Sequence, residues 1–260
     1  MVGAGVVAAV GLALSLAVAL PARASGSSTP GAPPAGYWVV DAGGRVAATG
    51  VTAYPVPAAP TAPVVAIAPT ADARGYWLAA ANGQVQAAGD ASVYGPPPPP
   101  VLNKPVVGMA PTPDGAGYWL VASDGGIFTL GDARFFGSTG NIRLNEPIMA
   151  MASTPDGAGY WLFASDGGVF TFGDAGYLGS TGGIRIAAPV VGAAATPDGL
   201  GYRLVTSAGR VYGFGDAQTF PAPNGSSAIG TAVPPTLDLP VVGLAATSDG
   251  LGYWLASADG

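Results

Sequence analysis

Carboxylates are the residues of this chain best suited to chemistry, and they recur at fixed places. There are fourteen Asp and one Glu, Glu146. Asp114, Asp156, Asp198 and Asp249 stand in "PDG" or "SDG" turns, Asp124 and Asp166 in "SDGG", and Asp90, Asp132, Asp174 and Asp216 in "GDA". Two chemistries could use them. A calcium site wants several carboxylates at close spacing, and no such cluster occurs. Hydrolysis of a glycosidic bond wants two positioned carboxyls, one with a raised pKa, and no Asp pair stands outside the recurring pattern. Residues repeated in this way are expected instead to accept hydrogen bonds from the backbone amides of their own turns.

Other chemistries are excluded by composition. With no Cys and no His there are no disulfides, no thiolate or imidazole metal ligands, no Ser-His-Asp triads and no Cys-His dyads. An enzyme acting on acidic sugars would want clustered arginines, whereas Arg134, Arg143, Arg185, Arg203 and Arg210 are spread over three units. The chain carries a net charge of −6 and one lysine, Lys104, so a counterion-releasing phosphate surface is not expected and neither is a nucleic-acid partner. The sequence predicts a protein that is not an enzyme, with no catalytic residue, no metal and no cofactor.

The elements that hold these carboxylates are written in a repeat. "TPDGAGYWLVASDGGIF" at Thr112–Phe128 returns as "TPDGAGYWLFASDGGVF" at Thr154–Phe170. The Gly-Tyr-Trp marker, or a close variant, places tyrosines at Tyr37, Tyr76, Tyr118, Tyr160, Tyr202 and Tyr253, in steps of 39, 42, 42, 42 and 51 residues. A period of about 40–45 residues fits propeller blades and also some helical repeats. Residue types decide between them. In the unit from Pro105 to Ser138, "PVVGMA", "YWLVAS", "IFTLGDA" and "RFFGS" are short apolar runs bounded by Gly, Pro or Asp, the signature of strands. "DGG" between the second and third runs calls for an antiparallel hairpin. No window is long and glycine-free enough for an ordinary helix.

Each unit is therefore predicted to be a four-stranded antiparallel meander, A to D. "YWLVA" does not alternate apolar with polar, so both of its faces want burial. A sheet sandwiched between two neighbours satisfies that, as in a β-propeller; a β-sandwich or β-solenoid is the alternative. Hydrophobic residues at 49% favour an ordered, turn-rich all-β domain over the disorder that high Gly and Pro alone would suggest. The tryptophans at 38, 77, 119, 161 and 254 are expected in the core between blades rather than as sugar-stacking platforms. Phe135, Phe136 and Tyr177 are expected to be partly exposed.

On these residues the chain resembles bacterial extracytoplasmic β-propeller repeats. "TPDGAGYW" looks like the "PDG" turn of WD40-like and TolB-type propellers and, more loosely, the Asp-box turns of sialidases. "GYWLVASDGGIFTLGDARFFGSTG" is similar to a repeat found in tandem in secreted proteins of high-GC bacteria. The resemblance covers about Ala35 to Gly260 and implies the fold, not an activity, because propellers host unrelated functions. Unit 2 lacks the Asp-Gly-Gly turn. Unit 5 has Arg203 in place of Trp and about nine extra residues in Gln218–Asp238, unit 1 lacks a clear strand A, and the chain stops at "GYWLASADG". Binding on such a scaffold is expected where the pattern breaks. Arg203, Arg210, Gln218, Phe220 and Asn224 are the candidate binding residues, with the pentaproline Pro96–Pro100 beside them; drift and a polyproline spacer are the alternatives.

Residues 1–24 read as a signal peptide, an apolar run from Val2 to Leu20 followed by Ala22-Arg23-Ala24. An uncleaved membrane anchor is the alternative, and either places the remainder outside the cell. Residues 25–35 read as a flexible linker. Residues 36–260 hold the repeats, in units near 36–61, 62–104, 105–146, 147–188, 189–239 and 240–260, so five to six blades are represented. Strand A of the last unit, Pro240–Ala245, could complete unit 1 and close five blades; the preferred expectation is a fragment of a ring of six or seven. The expected function is a secreted or surface-attached, monomeric scaffold for an unknown protein or glycan ligand, touching membrane only through the N-terminal segment. The alternatives are a glycan- or wall-active enzyme or its accessory domain, and a structural surface protein.

Overall fold

The structure, a computed structural model, describes residues 14–20, 36–96, 102–217, 239–247, 250 and 252–258. Among them there is no helix, and the strands fall into six small antiparallel sheets. Sheet 1 is β1 (Leu14–Leu20), β2 (Gly36–Asp41) and β3 (Val46–Thr49). Sheet 2 is β4 (Val64–Pro69), β5 (Gly75–Ala80) and β6 (Val85–Gly89). Sheet 3 is β7 (Val106–Pro111), β8 (Gly117–Ala122) and β9 (Ile127–Gly131). Sheet 4 is β10 (Ile148–Ser153), β11 (Gly159–Ala164) and β12 (Val169–Gly173). Sheet 5 is β13 (Val190–Ala195), β14 (Gly201–Thr206) and β15 (Val211–Gly215). Sheet 6 has two strands, β16 (Val241–Ala246) and β17 (Tyr253–Ser257).

The non-alternating Gly-Tyr-Trp strands sit where their composition demands. β5, β8, β11 and β14 are the middle strands of their sheets and are buried at every position. One face of each packs on the sheet before and the other on the sheet after, so the core is a series of slabs between sheets. Trp119, Val121, Ile148, Tyr160 and Leu162, for example, form the slab between sheets 3 and 4. The first strand of each sheet lies beside the first strand of the next, β4 against β7, β7 against β10, β10 against β13 and β13 against β16; β1 lies against both β4 and β16. In sheets 2 to 6 this strand carries a bulge that leaves Val65, Val107, Met149, Val191 and Val242 without a cross-strand partner. A bulge re-aims the side chain it frees, and here all five line a narrow apolar cavity of about 90 Å³ between the inner strands.

An aromatic contact of one kind joins the sheets. Trp38 meets Tyr76 at 5.4 Å between ring centroids, Trp77 meets Tyr118 at 6.0 Å, Trp119 meets Tyr160 at 5.8 Å and Trp161 meets Tyr202 at 6.0 Å. Between sheets 5 and 6 the partner is a cation, with the Arg203 guanidinium 5.7 Å from the Tyr253 ring. Trp254 of sheet 6 meets Tyr37 of sheet 1 at 5.3 Å.

Three expectations need correction. Among the described residues the sheets have three strands or two, not four; in the third unit the predicted strand D, "RFFGS" at Arg134–Ser138, is not a strand. Its backbone groups are engaged by side chains: the Trp119 indole donates to the Arg134 carbonyl at 2.7 Å, and Tyr160 accepts from the Phe136 amide while donating to the Gly137 carbonyl. The same pattern recurs after β12 with Trp161, Tyr202, Gly176, Leu178 and Gly179. Unit 1 does have a first strand, and β1 comes from the segment read as a leader. The strand offered as the alternative completion of unit 1, β16, pairs with β17 of its own unit instead. Unit 2 keeps its hairpin without Asp-Gly-Gly, because Asn82 accepts from the Gln84 amide at 3.1 Å and Gly83 adopts φ +82°.

Candidate functional site

In sheets 2 to 5 the turns between the first and second strands lie at one end of the sheets, and each is built the same way. In the third unit the Thr112 hydroxyl accepts from the Gly117 amide at 2.9 Å and lies 2.8 Å from the Asp114 carboxylate, to which it donates. The same carboxylate oxygen accepts from the Ala116 amide at 3.1 Å. Thr70–Asp72, Thr154–Asp156 and Thr196–Asp198 repeat the arrangement. Asp249 lies outside the described residues. The amide and the threonine favour the charged carboxylate, so Asp72, Asp114 and Asp156 are held below the usual range chiefly by the amide, and Asp198 chiefly by Thr196.

A second carboxyl closes over each turn. The Asp of every "GDA" folds back so far that a Cβ on the marker glycine would meet it, at 2.6 Å for Gly75 and Asp90 and at 2.5 Å for Gly117 and Asp132 and for Gly159 and Asp174. Only glycine fits there, which explains the first letter of the Gly-Tyr-Trp marker. Asp132 lies within hydrogen-bonding reach of Asp114, as Asp174 does of Asp156 and Asp216 of Asp198, and each lowers its neighbour further. These pairs juxtapose two carboxyls, the raw material of acid–base work. In each pair, however, the turn carboxylate accepts from its own threonine and its own amide, so it serves the turn.

Successive turns press on one another. A Cβ on Gly157, which has φ +71°, would meet Pro113 at 2.7 Å, and one on Gly199 would meet Pro155 at the same distance. The turns of sheets 2 to 5 thereby frame an open hollow of about 410 Å³ lined by Pro69, Pro111, Pro113, Ser153, Pro155 and Pro197, with Trp77 at its side. It lies over the threonines and above the apolar constriction described above. A neighbouring hollow of about 330 Å³ between the third and fourth turns is bordered by Asp114, Asp132, Arg134, Phe136 and Asp156.

The residues singled out in the sequence are not gathered there. Arg203 is fully buried, and its guanidinium donates to the Gly250 carbonyl at 2.8 Å. Burial pulls it below its ordinary pKa, while Tyr253 and Asp216 oppose that shift. Arg210 is exposed in a hairpin turn at the other end of its sheet, its guanidinium 5.3 Å from the Tyr212 ring. Gln218, Phe220, Asn224 and Pro97–Pro100 lie outside the described residues. Trp38, Trp77, Trp119 and Trp161 are core, as expected, while Trp254 is half-buried. Phe135 and Tyr177 are each 61% exposed and Phe136 packs on Tyr160. The proline frame was overlooked in the sequence, although proline at the same step of three units, Pro113, Pro155 and Pro197, was the signal for it. Neither a family model nor a curated protein matches the chain.

Proposed function

We propose that the six sheets are the blades of a propeller, and that the molecule is a non-catalytic scaffold that takes a protein or glycan ligand at the proline-framed hollow. The observation that carries this reading is the tryptophan–tyrosine contact at five of the six junctions, including Trp254 of the last sheet on Tyr37 of the first, with Arg203 on Tyr253 at the sixth. Contacts of that kind in that order support an arrangement of six sheets about one axis, and the cavity lined by the bulged inner strands supports the placing of that axis. Binding on a propeller belongs to the face where connecting turns meet over a rigid ring. Here that face offers a stiff rim of prolines and an acidic surround. An exported location is supported by the apolar leader and its Ala-x-Ala step.

The test is an array of glycans, peptidoglycan fragments and peptides probed with the full chain and with Ser153→Arg, which fills the hollow from a half-buried position. The expected result is a ligand whose affinity falls at least tenfold in Ser153→Arg while the thermal midpoint is unchanged. A ligand bound equally by both proteins, or no ligand at all, would overturn the reading.

A further inference from the structure

Every side-chain donor on the lining of the proline-framed hollow is already committed. The hydroxyls of Thr70, Thr112, Thr154 and Thr196 donate to the aspartates of their own turns at 3.0, 2.8, 2.9 and 2.7 Å. Ser153 donates to the Pro111 carbonyl at 3.3 Å, and the Trp77 indole to the Ser92 carbonyl at 2.7 Å. The prolines of the frame have no N–H to add and present apolar rings. Charge around the hollow is equally one-sided. Asp114, Asp156 and Asp198 each follow a rim proline directly, and Asp72 takes the same place in the second turn. Asp90, Asp132, Asp174 and Asp216 fold back onto the same turns. Against these eight carboxylates the described residues of that end set two exposed guanidiniums, Arg134 and Arg74, the latter 3.8 Å from Asp72. Arg203 is buried, and the other five described cations lie at the opposite end: Arg45 and Arg210 in hairpin turns, Lys104, Arg143 and Arg185 in loops leading into first strands.

We infer that the occupant of this hollow is a basic peptide segment, with an apolar side chain seated among the prolines and lysines or arginines on the surrounding carboxylates. The inference rests on the scaffold reading and narrows its ligand. An ammonium or guanidinium group only donates, so it meets a lining whose own donors are spent without leaving a group unserved. A sugar hydroxyl must also accept, and on this lining its lone pairs find no side-chain donor. An acidic glycan is repelled by the same carboxylates. Complementary charge of this kind selects the partner and weakens as salt rises.

The probe is the peptide acetyl-KKWKK-amide, titrated calorimetrically into the full chain, with acetyl-EEWEE-amide, acetyl-KKGKK-amide and chitotriose for comparison. One-to-one binding of KKWKK is expected, weakening about tenfold between about 0.05 M and about 0.5 M salt. EEWEE and chitotriose should not bind, and KKGKK, which lacks the apolar side chain, should bind about tenfold more weakly than KKWKK. Ser153→Met fills the hollow without adding charge and should bring KKWKK down to the level of KKGKK. Asp114→Asn combined with Asp156→Asn keeps an oxygen for each threonine and amide and should weaken both lysine peptides. Equal binding of KKWKK and KKGKK, or KKWKK binding untouched by Ser153→Met, would overturn the inference by leaving charge alone as the attraction. EEWEE or chitotriose bound by the full chain and lost in Ser153→Met would overturn the basic occupant while the scaffold reading stands. Failure of KKWKK to bind also overturns the inference: a ligand blocked by Ser153→Arg on the array then preserves the scaffold reading, and an empty array removes both.

Discussion

Arg203 stands where the five other sheets carry tryptophan, and it performs two tryptophan tasks with different atoms. It covers the ring of the next sheet's tyrosine, and it donates to a main-chain carbonyl, here Gly250. A buried guanidinium is tolerated because the ring and the carbonyl replace part of its water. Arg203→Ala leaves a cavity and an unpaired carbonyl, so a loss of about 3 kcal/mol is expected, measured by urea unfolding. The departure itself was legible in the sequence. Its meaning was not, because an arginine in a strand suggests a surface and only the neighbouring sheet reveals the burial. Asp114, Asp156 and Asp198 were legible as turn acceptors from Asp followed by Gly, whereas Asp72, followed by Ala73, was not. Because Asp72, Asp114, Asp156 and Asp198 are held below their ordinary pKa by turn hydrogen bonds, the stability they contribute is present above about pH 4 and is lost as pH falls through the lowered values. A thermal midpoint that declines progressively below about pH 4, measured by calorimetry at constant ionic strength, is the expected outcome.

At the scale of elements, the three strands of sheets 2 to 5 could be read from the sequence because each is a local apolar run ended by its own turn. The supposed fourth could not be judged, since Trp119 and Tyr160, the side chains that claim its backbone, come from strands far away in sequence. The turn glycines give a graded test. Gly115 and Gly157 share nearly the same positive φ, +72° and +71°, but a Cβ on Gly115 meets only Trp77 at 3.9 Å, because the preceding turn has Ala71 where later turns have proline. Gly115→Ala should cost about 1 kcal/mol for the left-handed backbone, and Gly157→Ala about 1–3 kcal/mol more for the clash with Pro113, both by denaturant unfolding. β1 poses a separate question, since it is drawn from residues that also read as an export leader. Its bulge falls opposite Val39, one step from the place it takes in the other five sheets. Deleting residues 1–24 should lower the thermal midpoint and speed amide exchange across β2, which would lose its inner partner; hydrogen exchange by mass spectrometry reads this directly.

For the whole molecule, the all-β class and the stacking of units follow from a middle strand apolar on both faces, a requirement that one sheet alone cannot meet. The order of the stack was also legible, since consecutive units are neighbours. Whether the last unit meets the first was not, because no local pattern in "GYWLASADG" or in Ala35–Asp41 states which distant surface covers it. The proposed ring rests on that meeting, and one contact reports it. With labelled tryptophan and tyrosine, nuclear Overhauser spectra of the full chain should connect Trp254 to Tyr37, whose rings are 5.3 Å apart, as strongly as they connect Trp38 to Tyr76 at 5.4 Å. Cross-peaks for the Trp38, Trp77, Trp119 and Trp161 pairs with none between Trp254 and Tyr37 would contradict the ring and leave an open stack of sheets.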